Sequence, residues 1–222
     1  KETEALQTKL NQERKKTKKR RQNKKELLGS INRSKKLHEQ TLKEMEASSR
    51  EIGNLINNFE ERLIQESQYG GGNSFRSLKG RLDFPAKGDI VTFFGKRKDP
   101  KFNTTIFQKG IDIAVPEGTE VRAVFDGKIL YADWFRGYGK IIIIDHGEGF
   151  YSLSAHLSKL DKKVNDRINK GETIALSGDT GSLKGPYLYF EIRKKGKPVD
   201  PLDWLKIPLG KSKTRANSRR QG

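Results

Sequence analysis

The 222-residue sequence contains no cysteine and only three histidines. The lack of cysteine excludes disulfide scaffolds, thiol nucleophiles and cysteine-ligated zinc sites. No run of 18 apolar residues, as a membrane-spanning helix requires, is present. Hydrophobic residues make up only 32% of the chain, whereas a compact domain carries nearer half apolar residues. The composition therefore predicts one globular domain plus an extended segment. Because the chain opens at Lys1, we expect a leader or upstream segment to be missing.

The charge is strongly unbalanced, with 46 Lys+Arg against 28 Asp+Glu and a net charge of +18. Its densest part is Arg14–Lys25, which holds nine basic residues in twelve. Such a run is most often a solvated helix face, and contact with anionic lipid headgroups or nucleic acid are the alternatives. Because the sequence has no basic motif interleaved with aromatic residues, we expect no nucleic-acid partner.

The first segment, residues 1–67, contains only two glycines, Gly29 and Gly53. Apolar positions spaced alternately three and four apart predict an α-helical coiled-coil segment with a narrow seam. Gly29-Ser30 predicts a bend between two helices. A lone helix cannot bury this stripe, so its partner is another helix of the chain, a second copy or the globular part. The seam is Leu28, Ile31, Lys35, His38, Leu42, Met45, Ser49, Ile52, Ile56, Phe59 and Leu63.

The rest of the chain changes character at a glycine-rich stretch. Residues 68–80 predict a flexible linker, and residues 208–222 predict a basic disordered tail. Residues 81–207 contain short apolar runs separated by Gly, Pro and Asp, which predict a mainly antiparallel β domain. Asp126-Gly127 predicts a hairpin between two of the runs. The predicted strands are Ile90–Phe94, Glu120–Phe125, Lys128–Tyr131, Lys140–Ile144, Phe150–Ser154, Thr173–Ser177 and Tyr187–Arg193.

A series of phrases in this domain resembles the LytM (lysostaphin-type) zinc endopeptidase family, which cuts peptidoglycan cross-bridges. They occur in the family's order from about Gly80 to Trp204. The resemblance implies a mainly β LytM fold, a duplicated hybrid motif of barrel-sandwich type, preceded here by the helical segment. The phrases are Phe94-Gly95-Lys96-Arg97, Gln108-Lys109-Gly110-Ile111-Asp112-Ile113-Ala114, Pro116-Glu117-Gly118-Thr119-Glu120-Val121, Gly137-Tyr138-Gly139, Ile144-Asp145-His146-Gly147, Ala155-His156-Leu157, Gly178-Asp179-Thr180-Gly181 and Tyr187-Leu188-Tyr189-Phe190-Glu191.

The resemblance also implies where a metal would be bound. The zinc-ligand positions of the family fall on Gln108, Asp112 and Tyr189, and its general acid/base positions fall on Tyr187 and His156. A hydrolytic zinc needs about three protein ligands and an open position for water. An amide is a poor ligand, a tyrosine with a pKa near 10 is protonated at neutral pH, and Asp112 is expected to be a single exposed carboxylate. We therefore predict no metal, no other cofactor and no catalytic residues.

The replaced positions favour binding over hydrolysis. In a strand, alternate residues share a face, so Tyr187, Tyr189, Glu191 and Arg193 are predicted to lie on one face. The resemblance implies that this face lines the family's groove, which then carries two tyrosines and an arginine. Tyrosine and arginine are enriched where proteins bind proteins. The predicted partner-binding residues are Lys109, Asp112, Tyr138, Tyr187, Tyr189 and Arg193. As alternatives, the tyrosines fill a vacated metal cavity, Arg193 pairs with a surface carboxylate, and His156 is a satisfied, half-buried histidine.

A coiled coil, a glycine-rich junction and a metal-less LytM domain together resemble the EnvC-like murein hydrolase activators. That resemblance implies a periplasmic protein of bacterial cell division, close to peptidoglycan, that binds a cell-wall amidase through the LytM groove. It also implies recruitment of the coiled coil by an inner-membrane division complex, and a helix that can occlude the groove. The alternative is a zinc-dependent peptidoglycan endopeptidase with an altered ligand set, for instance Asp112 and His156. A structural protein that grips glycan strands remains a further alternative.

Overall fold

The computed structural model describes residues 2–66, 74–98, 105–182 and 185–206. Of the predicted glycine-rich linker, residues 68–73 lie outside these ranges, as does the whole of the predicted basic tail. Contacts divide the chain into two compact units, with the boundary between Lys43 and Glu44. Within the described ranges, no helix combines the length and apolar character needed to span a bilayer.

Helix α1, Glu2–Glu66, is continuous over 65 residues. The predicted bend at Gly29-Ser30 is therefore wrong. One interior glycine costs about 1 kcal/mol relative to alanine, and the preceding Lys24–Leu28 consists of good helix formers that offset this cost. Ser30 also remains helical, with its hydroxyl donating to the Leu27 carbonyl at 2.7 Å. Pairing of α1 as a coiled coil stays a prediction.

The second unit is built on antiparallel β-structure, as predicted. A large sheet has the strand order β1-β4-β11-β8-β7-β6-β9, while β10 pairs with β8 and β5, β12 pairs with β11, and β2 and β3 form a separate hairpin. The strands are β1 Asp89–Thr92, β2 Gly95–Lys98, β3 Thr105–Gln108, β4 Ile111–Ala114, β5 Glu120–Arg122, β6 Gly127–Phe135, β7 Gly139–Asp145, β8 Phe150–Leu160, β9 Arg167–Ile168, β10 Thr173–Ser177, β11 Leu188–Lys194 and β12 Lys197–Val199.

The hairpin predicted at Asp126-Gly127 is wrong, because β5 pairs with β10 and β6 pairs with β7 and β9. The glycine is required for a different reason. A Cβ atom on Gly127 would lie 2.3 Å from the carbonyl oxygen of Asp145. Close approach of two strands, rather than a tight turn, accounts for this residue.

The two faces of the sheet are both covered. The alternation in β11 directs Leu188, Phe190 and Ile192 into the main hydrophobic core, as the period of two predicts. The opposite face carries Ile141, Ile143 and Leu153, which belong to a second buried cluster. Because both faces are apolar, something besides the main core must cover the second one.

A short 3-10 helix, Phe75–Leu78, packs the start of the domain against its core. The Phe75 ring stacks on Phe150 and on His146, with 4.9 Å between ring centroids in each case. A fragment that begins at Arg81 would lose these contacts. A fragment of the β domain should therefore begin at Ser74.

His146 is predicted to make the domain sensitive to acid. Its Nδ1 lies 2.8 Å from the Asp126 carbonyl oxygen and its Nε2 lies 2.8 Å from the Ser152 hydroxyl, so its role is structural. Burial lowers the pKa of His146 to about 4 from 6.5. Between these values the unfolded chain binds the proton more readily, so stability is lost as the pH falls. The unfolding free energy should drop by about 2–3 kcal/mol from this residue between pH 7.5 and 4.5.

The measurement is denaturant unfolding at both pH values for the wild type and His146→Gln. The variant should be less stable at pH 7.5 but should lose less stability on acidification. Between pH 7.5 and 9 the histidine is neutral in both states, so this range is the internal control. An equal acid-induced loss in both proteins would contradict the prediction.

Candidate binding face

The positions matching the family's metal ligands lie close together in the structure. Gln108 ends β3, and its amide Nε2 donates to Asp112 Oδ1 at 3.1 Å. Asp112 in β4 pairs directly with Tyr189 in β11. Asp112 is only 3% exposed, so the expectation of an exposed carboxylate is wrong. It is buried because β4 lies between β1 and β11.

The positions matching the general acid and base form a closed pair. The Tyr187 hydroxyl lies 2.9 Å from His156 Nε2, and His156 Nδ1 lies 2.8 Å from the Thr180 carbonyl oxygen. Because a carbonyl only accepts, Nδ1 carries the hydrogen and Nε2 accepts from the phenol. Burial, and next the charge of Asp112, raise the pKa of Tyr187, which keeps this phenol protonated. Both ring nitrogens of His156 therefore have hydrogen-bond partners, and the side chain is buried rather than half-buried.

Two glycine-containing loops hold His156 in place. The Tyr138 carbonyl accepts from the His156 backbone N–H at 3.0 Å. Gly139 has a φ of +67°, and a Cβ atom there would lie 2.1 Å from the Thr180 carbonyl oxygen. Only glycine allows the two loops to approach so closely. These loops therefore position His156.

The residues at these positions do not fit a zinc centre. Among the described residues, no group of three or more His, Cys, Asp or Glu side chains could hold a metal ion. Asp112 already accepts from Gln108. The Tyr189 hydroxyl donates to Glu191 Oε2 at 2.8 Å, and burial raises the pKa of Tyr189 well above its ordinary value. One carboxylate does not supply the three protein ligands that hydrolytic zinc needs.

A buried ion pair lies beside Tyr189. Arg193 Nε donates to Glu191 Oε1 at 2.7 Å, and the side chains of both residues are almost fully buried. Arg193 is therefore not paired with a surface carboxylate. Burial raises the pKa of Glu191, while Arg193 and the Tyr189 hydroxyl oppose this shift. We regard the pair as ionised, because the arginine remains protonated and its guanidinium lies within hydrogen-bond distance of the carboxylate.

Helix α1 contributes two further hydrogen bonds to the Arg193 side chain. Its Nη2 donates to the Ser49 hydroxyl at 2.9 Å, and its Nη1 lies 3.3 Å from the Ser49 carbonyl oxygen. Nη1 also donates to the Gly196 carbonyl at 3.2 Å. The polar seam residue Ser49, which weakens a coiled coil, is thus explained by its contact with the β domain.

Residues 44–59 of α1, here called the cover segment, belong to the same compact unit as the β domain. Ile52 and Ile56 are fully buried, in one cluster with the second face of the sheet. Glu44 forms an ion pair with Arg136 at 3.2 Å. The apolar stripe of the cover segment therefore packs against the β domain. The sheet-side members of the cluster are Leu130, Tyr138, Ile141, Ile143, Tyr151, Leu153, Ala155 and Tyr189.

The structure brings the predicted binding residues together, but it also covers several of them. Tyr138, Tyr189 and Arg193 are 3%, 6% and 1% exposed. Lys109 is half-buried. Burial lowers the pKa of Lys109, and the charge of the nearby Glu191 opposes this shift. Glu191 and the cover-segment residues were not predicted as site residues, although Ser49, Ile52 and Ile56 were recognised as seam positions.

Comparison with known proteins identifies the class of the β domain. Residues 106–201 match peptidase family M23. This part of the chain therefore forms a LytM-type β domain similar to peptidase family M23, and a long helix precedes it. The crystal structure of a zinc-containing peptidase from Vibrio cholerae superposes with a TM-score of 0.52 and 30% identity, over 56% of this chain and 40% of that chain.

Within this class the chain resembles EnvC. The Escherichia coli (strain K12) murein hydrolase activator EnvC is 35% identical over 127 residues, covering 57% of this chain and 29% of that protein. The DD-carboxypeptidase/endopeptidase Mpg of Neisseria meningitidis serogroup B is 37% identical over 141 residues, covering 64% of this chain and 30% of that protein. The chain thus spans less than a third of each of these curated relatives.

Proposed function

We propose that this protein is a non-catalytic activator of a peptidoglycan (N-acetylmuramoyl-L-alanine) amidase. The observation that carries the proposal is the state of the five positions matching the family's active site. Gln108 and Asp112 bond to each other, Tyr187 closes on His156, and Tyr189 bonds to Glu191. This arrangement leaves no ligand set for a hydrolytic metal, yet it keeps the sheet that frames the family's groove. Similarity to the murein hydrolase activator EnvC supports the same conclusion.

The second face of the sheet is the proposed amidase-binding surface, with Lys109 and Asp112 at its margin. Release of the cover segment would expose Tyr138, Tyr189 and Arg193 together with apolar strand residues. Aromatic and arginine side chains are common binding hot spots. An incoming element must supply apolar side chains in place of Ile52 and Ile56. It must also supply an acceptor for Arg193 in place of Ser49, because an unpaired buried guanidinium is costly.

In this proposal the cover segment restrains the protein at rest. The same residues that bind the amidase are buried by α1, so the two interactions exclude each other. Recruitment of the helical segment by an inner-membrane division complex would bias α1 toward release, and the amidase would then bind. The setting is the bacterial periplasm, close to peptidoglycan. These assignments rest on the resemblance to EnvC-like activators and on the competition for one surface.

The experiment combines the purified chain, a cell-wall amidase and dye-labelled peptidoglycan. Dye release is expected from the mixture and from neither protein alone. Tyr189→Ala should reduce stimulation at least tenfold, because a hot-spot truncation costs 2 kcal/mol or more. Val164→Ala, at an exposed apolar residue in a turn, is the control and should behave as wild type. Unchanged stimulation by Tyr189→Ala would contradict the proposed surface.

The second candidate function is a zinc-dependent peptidoglycan endopeptidase with an altered ligand set, favoured by the similarity to Mpg and to the Vibrio cholerae zinc-containing peptidase. It predicts one zinc per chain by elemental analysis and metal-dependent cleavage by the chain alone. The activator predicts neither result. The same dye-release assay without amidase, repeated with added zinc and with a chelator, separates the two functions.

A further inference from the structure

The densest positive charge of the molecule lies in the first compact unit. In the sequence it is distant from every residue of the proposed amidase surface. Arg14–Lys25 has nine basic and no acidic residues, and all twelve side chains are exposed. A Glu13–Lys16 ion pair at 3.1 Å borders the run, and both its side chains are more than 60% exposed. The run Arg14–Lys25, here called the band, is therefore largely unneutralised within the described residues.

This charge works against the helix that carries it. Like charges three and four residues apart destabilise a helix, and the run contains such pairs throughout, for example Arg14 with Lys18 and Lys15 with Lys19. Helix α1 nevertheless continues through the band without interruption. A polyanion bound along the band would remove this repulsion.

The band has a defined geometry. Arg14, Lys18, Arg21 and Lys25 are spaced four, three and four apart, so they form one stripe on α1. At 1.5 Å per residue this stripe is about 16 Å long. Leu10 and Leu28, which are 52% and 51% exposed, continue the same stripe at its two ends. The surface is thus a row of cations with an apolar side chain at each end.

We propose that residues 10–28 of α1 bind the surface of an anionic lipid bilayer, with the helix lying along the membrane. Leucines at both ends would insert between headgroups, as in interfacial helices, and the cations would meet acidic lipids. The Debye length of about 8–10 Å is close to the helix diameter of about 10–12 Å. Cations on the sides of α1, and not only those of the stripe, therefore contribute.

Two other partners fit these residues less well. If the seam is extended upstream from Leu28 with the same spacing of three and four, it passes through Lys24, Arg21 and Arg14. A partner helix packed there would meet cations where coiled coils require apolar residues. Single-stranded nucleic acid is commonly bound by aromatic stacking, and residues 2–31 contain no aromatic side chain. Phosphate neutralisation would also leave the exposed Leu10 and Leu28 without a role.

The test is flotation of the whole chain with lipid vesicles in 0.15 M NaCl. Phosphatidylcholine vesicles with 30% phosphatidylglycerol should bind the protein, and pure phosphatidylcholine vesicles should not. Replacing Arg14, Lys18, Arg21 and Lys25 by Gln should weaken binding by more than about 100-fold, because each cation near an anionic surface contributes about fivefold. The matched control replaces four exposed lysines of the β domain, Lys87, Lys163, Lys197 and Lys206, by Gln and should bind nearly as wild type.

Each result decides the proposal. Loss of vesicle binding in the stripe variant but not in the control, with unchanged helix content by circular dichroism, supports it. No vesicle binding, equal binding to neutral vesicles, or equal losses in the two variants would overturn it. Tight binding to duplex DNA without vesicle binding at the same salt concentration would assign the band to nucleic acid instead. None of these results depends on amidase stimulation, so the membrane proposal and the activator proposal can fail independently.

Discussion

Replacing Ile52 and Ile56 by aspartate is expected to raise amidase stimulation by the chain at least tenfold. Both side chains are fully buried against the second face of the sheet. Truncating one buried isoleucine typically costs 2–5 kcal/mol, and a buried unpaired carboxylate costs more. Since each 1.4 kcal/mol is a factor of ten, the double replacement is large enough to shift the cover segment from bound to released.

The matched control is the pair Leu27→Asp and Leu37→Asp on the same helix. These leucines are 60% and 67% exposed, so the same chemical change removes little packing. Hydrogen exchange of residues 44–59 gives a second measurement that does not involve amidase. Faster exchange without greater stimulation would show that the cover segment was released but does not restrain activity. Unchanged exchange would show that Ile52 and Ile56 do not hold the segment.

The second large effect is expected from Arg193→Met. This change leaves the buried Glu191 carboxylate without its cationic partner and removes the hydrogen bond from Arg193 to the Ser49 hydroxyl. Removing one member of a buried ion pair typically costs about 3–5 kcal/mol. The unfolding free energy of the chain, from denaturant titration, should fall by that amount. The fall has an electrostatic cause, because methionine replaces much of the volume of the arginine side chain.

A second variant separates charge from packing. Glu191→Gln combined with Arg193→Met removes both charges, and replacing a buried pair by uncharged groups is often close to neutral. We expect the double variant to recover most of the stability that Arg193→Met loses. If the two variants are equally destabilised, the packing of Arg193 against the cover segment, rather than its charge, is what stabilises the unit.

The β domain was predictable because most of its strands coincide with short apolar runs in the sequence. Seven predicted runs correspond to β1, β5, β6, β7, β8, β10 and β11, and the alternation in β11 placed Phe190 in the core. The missed strands β2, β3, β4, β9 and β12 have two to four residues. The strands β1 and β5 are as short, but they lie within longer predicted runs, Ile90–Phe94 and Glu120–Phe125. The predicted hairpin at Asp126-Gly127 was wrong because the dipeptide indicates that glycine is required there but does not indicate which strand packs against it.

The candidate site was only partly predictable. The family phrases identified Gln108, Asp112, His156, Tyr187 and Tyr189, and the structure brings these residues close together. The phrases did not indicate that Asp112 is buried, because burial depends on the strands on either side of β4. They also gave no sign that Glu191 neutralises Arg193, since a pair two residues apart in a strand also occurs on exposed surfaces.

By itself, the sequence determined the β domain and the helical character of the first segment, since each is encoded by residue type and short-range spacing. Only the tertiary structure decided which partner the stripe of α1 uses. An apolar stripe indicates that a surface must be buried. The hydrophobic effect is non-directional, so it does not determine which partner buries that surface. Ser49 contacts Arg193, which lies 144 positions further along the chain, and no local pattern records such a pairing.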